Sequence, residues 1–413
     1  YRINPKAVWS DGVPITGADF VYNWQAQSGT GTDVGGHPFT PASRSGYDLI
    51  QSVAASPSSP DQVTVTFSSP YPDWSALFRH LIPVHVAQSV GFNSGFTDPL
   101  ADLVSGGPYI VADFSPSGFL RLVRNPSYWG TPASTLELDF RFVPDMQQLA
   151  TSLQQGQVSC AEVTPTAGIL SPLKASKNLN VMVAPGPQFL DLEFRQSSGP
   201  LRDSTTRAAI TNAVTRVAVV SASVGATDPG DPALANRFLV TGEAGYTPHG
   251  PPPPPQAPHG SVSPMKLGVD PSDPVASAAA ETIAQELIAA GYSVSLVGPT
   301  APWDLAVRDR TLSPFAGDPM ATYLSSSATN VDGVSDPTLD ALIDSAAAAQ
   351  DGQRQTLIDQ VDQQAWASYA DLPLFALPPA VACQTDVVGI GPNPSPDGPA
   401  YDATSWGLLP GTP

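Results

Sequence analysis

Five histidines, two cysteines and a sparse set of acids and arginines are the side chains with which this 413-residue chain could do chemistry. The histidines are His37, His80, His85, His249 and His259. His80 and His85 do not share one helix face, and neither HExxH nor a CxxC pair occurs, so the pattern offers no zinc site. The glycine-rich stretch Gly29 to Gly36 lacks the Gly-Lys-Ser/Thr ending of a phosphate-cradling loop and reads as a plain loop. No GxSxG nucleophile elbow occurs, and no cysteine is placed beside a histidine by position. Catalysis, metal and cofactor therefore have no foothold in the motifs. Cys160 and Cys383 permit one long-range disulfide, which suits an exported protein, or two buried thiols.

The totals narrow the class. Thirty-seven acids against eighteen Lys and Arg give a formal charge of −19, the wrong sign for nucleic acid or an anionic membrane. Pro and Gly number 46 and 34, yet 41% of residues are hydrophobic, so the chain folds but carries many loops. No run of about 18 apolar residues is present to span a bilayer. The chain starts at Tyr1 in what reads as mid-strand, without initiator Met, signal peptide or lipid-attachment cysteine, so it reads as part of a longer protein.

The elements follow from periodicity. In VWSDGVPITGADF (8–20) a Ser-Asp-Gly turn precedes Thr16, an N-cap with Asp19 in the first turn, and a helix through Gln25. Val63 to Phe67 alternates as a strand, and a short helix is expected from Asp73 to Phe78. Strands are expected at 108–111, 120–124 and 136–142, then a helix from Asp145 to Gln155 ending at Gly156. FLDLEFR (189–195) is an alternating strand, followed by a helix from Asp203 to Val220 on which Asp203 and Arg207 could form a weak surface pair. Pro251 to Pro255 must be extended polyproline II outside any core. Beyond it, strand 265–269, helix 276–290, strands 292–297 and 304–307, and helices 339–348 and 354–369 form a βαβ-like succession.

Nine stretches in order then carry a resemblance: VWSDGVPITGADFVYNW (8–24), GYDLIQSV (46–53), VTFSSPYPDW (65–74), FRHLIPVHV (78–86), SGGPYIV (105–111), LVRNPSYWG (122–130), LRDSTTRAAITNAVTR (201–216), PTLDALIDSA (337–346) and GPNPSPDG, with Trp406 near the end. The chain resembles the family 5 extracellular solute-binding proteins, the peptide, dipeptide and nickel receptors of ATP-driven (ABC) importers. The resemblance implies a mixed α/β, bilobal fold of the type II periplasmic-binding-protein kind with an extra domain, its lobes joined by crossing strands. It assigns residues 1–103 to the family's second domain, lacking its beginning, and 104–186 with 376–413 to the first, lacking its N-terminal strand. Residues 187–375 become the third domain, with a Pro-rich insertion at 248–264. The Ala- and Pro-rich, Lys-poor composition resembles that of actinobacterial proteins.

The same resemblance implies a monomer that binds a small organic solute or short peptide by lobe closure, without catalysis or cofactor. It implies an ABC permease as partner and a place outside the cytoplasmic membrane, periplasmic or held by an N-terminal lipid. At the seam it implies between lobes, the candidate ligand-binding residues are Tyr109, Phe189, Asp191, Glu193, Arg308, Arg310, Phe315 and Trp406. Each alone would serve equally as core or surface. The chain departs from the peptide receptors at Phe315, which aligns with the Asp that holds a peptide's α-ammonium; a phenyl ring supplies no charge-assisted hydrogen bond. That departure and the proline run keep an alternative open, a receptor-like envelope lipoprotein with a regulatory role and no transported ligand.

Overall fold

The structure, a computed structural model, describes all residues except 42–43, 45, 57, 99, 101, 117, 185, 187, 226–233, 240–245, 254–262, 313–316, 394–397 and 410–413. The chain divides into two compact units, one of Tyr1–Asp145, Asp386–Ile390 and Asp402–Pro413, the other of Met146–Thr385 and Gly391–Tyr401.

In the first unit, Thr16 caps the helix Gly17–Ser28 and its amide donates to Asp19 at 2.8 Å. The second oxygen of Asp19 accepts the amide of Val84 at 3.0 Å, so one acid both starts the helix and ties a distant segment to it. Trp9 beside the Ser-Asp-Gly turn is buried, and a Cβ on Gly106 would lie 3.5 Å from its ring. The tryptophan is scaffold. A hairpin (Ile50–Ser56 with Ser59–Phe67) packs on the helix through Val53, Val63 and Phe20. Three antiparallel strands, Tyr109–Ser115, Phe119–Arg124 and Glu137–Arg141, form a meander. The helix expected from Asp73 is only a 3-10 turn, Trp74–Ala76. It stops there because Phe78 takes a left-handed backbone (φ 60°) that sets its ring 5.3 Å from those of Tyr1, Phe20 and Tyr47.

The second unit is built on a five-stranded sheet in the order Val294–Val297, Met265–Gly268, Leu305–Thr311, Gln188–Phe194, Asp371–Leu377. The first three strands are parallel and the last two pairings antiparallel. The helix Pro274–Ala289, capped by Asp273, makes the crossover between the parallel strands Met265–Gly268 and Val294–Val297, the latter at the sheet's edge. It buries Ala276, Ala279, Ile283 and Leu287 in one core with Leu190, Leu192, Phe194, Leu305 and Val307. Helices Pro337–Ala348 and Asp351–Ala367 build a second core around Leu339, Val361 and Ala365.

A smaller sheet, Cys160–Val163, Ala380–Gln384 and Leu179–Val183, lies in the same unit. Two runs of chain pass from one sheet into the other, Leu179–Val183 into Gln188–Phe194 and Asp371–Leu377 into Ala380–Gln384. Of the two states open to the cysteines, the structure holds the disulfide: Cys160 and Cys383 face each other in register with Cα atoms 4.0 Å apart.

Two local expectations are corrected. The helix from Asp203 breaks into Ser204–Ala213 and Arg216–Val224, because Val214 is extended and the amide of Thr215 donates instead to Glu286, at 2.9 Å. Arg207 is not on the surface either. It is buried, donating to the carbonyls of Leu201, Arg202, Ser368 and Tyr369 at 2.8–3.1 Å, while Asp203 caps the helix through Thr205 and Thr206. The proline run is described as far as Pro253, and the carbonyl of Pro252 accepts from the Tyr369 hydroxyl at 3.1 Å.

Candidate functional site

Strand alternation places the charges. In Gln188–Phe194, Leu190, Leu192 and Phe194 face the helix-covered core, which turns Phe189, Asp191 and Glu193 to the opposite face. On the neighbouring strand Arg308 stands opposite Asp191, and Arg310 opposite Phe189. A D-x-E ladder thus meets an R-x-R ladder on one face of one sheet.

Arg310 is the hub. Its Nε lies 2.9 Å from Asp191 Oδ2, and its Nη2 lies 3.1 Å from Glu193 Oε1 and 2.8 Å from Asp332 Oδ2. Arg308 reaches Glu193 Oε2 at 3.0 Å from a half-exposed position, its guanidinium over Trp303. A second guanidinium, Arg237, is fully buried. Its Nε lies 2.6 Å from Asp371 Oδ1, its amide donates to Asp362 Oδ1 at 3.0 Å, and it stacks 4.0 Å from the Trp366 ring centre. The Tyr323 hydroxyl donates to the other oxygen of Asp371. Asp371 pairs in register with Glu193, so the two hubs share one sheet face.

Five carboxyl groups therefore surround three guanidiniums, and burial decides which keep protons. Burial pushes Asp191 well above the usual carboxylate range, and the charge of Asp371 adds to this against the pull of Arg310. Glu193 is raised to about 7, again chiefly by burial. Burial also raises Asp332 and Asp362. Asp371 goes the other way: burial opposes its charge, but Arg237, Arg310 and the Tyr323 hydrogen bond outweigh it and hold the pKa low. Asp371 is the ionised member of its pair with Asp191.

Beside the hubs, Phe189, Arg237, Arg310, Thr322 and Tyr323 line a pocket of about 190 Å³. A second, of about 310 Å³, lies where the helices beginning at Ser204 and Pro337 meet Tyr369. Among the described residues, no group of three or more His, Cys, Asp or Glu could hold a metal ion.

Residues 1–330 match the model of the bacterial extracellular solute-binding proteins, family 5 Middle. The chain belongs to this family. A Mycobacterium tuberculosis protein named "Probable monoacyl phosphatidylinositol tetramannoside-binding protein LpqW" is 32% identical over 257 residues, 61% of this chain and 38% of that protein. The oligopeptide-binding protein OppA of the same species is 31% identical over 253 residues, 60% of this chain and 41% of its own length. The chain thus spans about two fifths of these relatives. The solved periplasmic EDTA-binding protein EppA is similar at 25% identity with a TM-score of 0.85, over 99% of this chain and 84% of that one. These likenesses carry the bilobal family 5 fold. Family membership places the protein among extracellular solute-binding proteins, and among the described residues no helix is long and apolar enough to cross a membrane.

In this family 5 protein, five of the eight sequence candidates, Phe189, Asp191, Glu193, Arg308 and Arg310, come together in the second unit. Tyr109 and Trp406 lie in the first unit. The Tyr109 hydroxyl donates to the carbonyls of Thr135 and Ala403 at 3.0 and 3.4 Å; the Trp406 indole donates to Asp402 at 3.2 Å, its ring 6.2 Å from Phe140. Phe315 lies outside the described residues. Sequence reading missed Arg237, Tyr323, Asp332, Asp362 and Asp371. Asp371 carried a signal, since a lone acid opening the run DLPLFAL stands out in a buried strand.

Proposed function

We propose that this protein is the extracytoplasmic substrate-binding receptor of an ABC importer, taking a small organic solute or short peptide as its lobes close on it and releasing it chemically unchanged to a permease. The observation that supports this most strongly is the family match across residues 1–330. The absence of a nucleophile–base motif fits a site that binds without reacting, and an N-terminal lipid anchor fits the lipoprotein habit implied by the resemblance. A solved oligopeptide-binding protein in complex with a nonapeptide, the EDTA-binding protein EppA and the monoacyl phosphatidylinositol tetramannoside in the name of LpqW set the ligand panel. Thermal-shift and calorimetric screening of the full chain with peptides, opines, sugars, metal chelates and acylated inositol mannosides tests the reading. One class should raise the melting temperature in proportion to its concentration, and silence from every class would overturn it.

A second reading, a regulatory envelope lipoprotein without transported cargo, is favoured by Phe315 at the position where the resemblance expects the ammonium-binding Asp and by the proline run Pro251 to Pro255. An adjacent permease and ATPase operon would exclude it.

A further inference from the structure

The 310 Å³ pocket opens at the end of the five-stranded sheet remote from the crossing segments. Gln196 comes from just beyond the strand Gln188–Phe194, and Ser368 and Tyr369 from just before Asp371–Leu377, whereas the crossings meet those strands at Gln188 and Leu377. Its lining carries fixed charge of both signs. Arg207 is buried, and four of its five N–H groups donate to carbonyls, which leaves one N–H on Nη2 without a partner among the described residues. Asp336 spends Oδ1 on the amides of Thr338 and Leu339 and accepts the Gln364 side-chain amide on Oδ2 at 2.7 Å, where a lone pair remains. Gln196 gives its side-chain amide to the Ala370 carbonyl at 2.7 Å and keeps Oε1 as an acceptor. Ser204 and Ser335 are exposed on the rim, and their hydroxyls have no partner among the described residues.

We propose that this pocket is a sugar site, which takes one ring with its hydroxyls on Arg207, Asp336, Gln196, Ser204 and Ser335. The two fixed charges select against ions. A carboxylate or phosphate that reached Arg207 would meet Asp336, and an ammonium that reached Asp336 would meet Arg207. A hydroxyl donates and accepts at once, so a polyol satisfies the spare N–H and the spare lone pairs together and brings no charge of its own. Charge-assisted hydrogen bonds to a guanidinium and a carboxylate are also the strong kind. Val334, Pro337 and Ala367 supply an apolar wall for the C–H face of the ring. The volume lies at the small end of the range for ligand pockets, about 300–1,000 Å³, which suits a single ring. The site is separate from the Arg310 hub, and the inference stands whether or not the receptor reading does.

The test follows the backbone amides of Gln196, Ser335 and Ser368 in the whole chain by NMR. The probes are glucose, mannose and myo-inositol, the methyl glycosides of the first two, and cyclohexanol as a ring of the same size with one hydroxyl. At least one sugar should shift the three amides along one saturable curve, with cyclohexanol at least about tenfold weaker. Equal binding of glycoside and free sugar assigns the site to the end of a glycan, and preference for the free sugar assigns it to a monosaccharide. Ser335→Trp, at an exposed rim position, should abolish the shifts in a protein whose other amides are unchanged. The milder pair Ser204→Ala and Ser335→Ala should weaken binding about tenfold through two lost hydrogen bonds. No saturable response to any sugar, an equal response to cyclohexanol, or tighter binding of acetate or methylammonium overturns the site. The two readings stay distinguishable. Sugar binding that Ser335→Trp abolishes belongs to this pocket and does not count for the receptor, and sugar binding that it leaves intact lies elsewhere and overturns the pocket.

Discussion

Asp191 and Asp371 lie on adjacent strands of a single sheet, Asp371 in register with Glu193 and Asp191 with Pro373, yet their protonation diverges: Asp371 has Arg237 and Tyr323 to hold its charge, whereas Asp191 has the Nε of Arg310, an ion pair without hydrogen-bond geometry. Asp191→Asn should therefore cost little, under about 1 kcal/mol, because it replaces a group that already holds its proton over much of the pH range. Asp371→Asn leaves the buried Arg237 with only the longer, 3.4 Å pair to Asp362 and should cost about 3–5 kcal/mol. Urea denaturation of the two variants compares them directly, and equal losses would show that the protonation assignment is reversed.

Glu193 gives the cluster a pH signature. Its folded pKa of about 7 lies above its ordinary 4.5, so between those values the folded state binds more protons than the unfolded one. Stability contributed by this group is complete below 4.5 and declines as pH rises through 7, by about 3 kcal/mol in total. The groups facing it are Arg308, Arg310, Asp332 and Asp371, of which Asp332 also titrates upward and steepens the same trend. Denaturation midpoints of the parent and Glu193→Gln should converge at pH 5 and separate by pH 8, with the variant the more stable. A parent that gains stability over that interval relative to the variant would contradict the assignment.

The disulfide closes a loop between residues 223 apart and joins an edge strand of the small sheet to its central strand at one register pair. Reduction, or the double change Cys160→Ala and Cys383→Ala, should cost about 2–4 kcal/mol through the freed unfolded chain. Thiol titration of unfolded, unreduced protein should find no reactive group. Two reactive thiols would show the bond is absent.

Arg207 satisfies four carbonyls at the start of one helix and the end of another. Arg207→Met should lower stability by about 3 kcal/mol or more by orphaning buried acceptors. Asp203→Ala should cost about 1 kcal/mol as a lost cap. A surface ion pair would instead give both changes a few tenths, so near-equal small losses would restore the simpler picture.

What the sequence could carry was local. Thr16 with Asp19, Asp273 before Pro274 and Asp336 before Pro337 announce helix starts through short-range capping, and the structure has helices there. The alternation of FLDLEF put Asp191 and Glu193 on one face of their strand, whereas the strand expected at 304–307 stops short of Arg308 and Arg310, which the structure includes in Leu305–Thr311 opposite them. Most of the rest was illegible because Arg237, Tyr323, Asp332 and Asp362 come from segments whose partners lie up to 134 residues away, and no local period marks them. Phe78 and Arg207 failed for a related reason. A left-handed backbone and a buried guanidinium are settled by tertiary packing, which overrides the propensity of a short window.

The most direct measurement is calorimetric titration of the purified chain with the solute panel, followed by recovery of the ligand. The account predicts stoichiometric binding of one solute class, with the solute recovered intact. Heat from no class, or a solute returned as a reaction product, would contradict it.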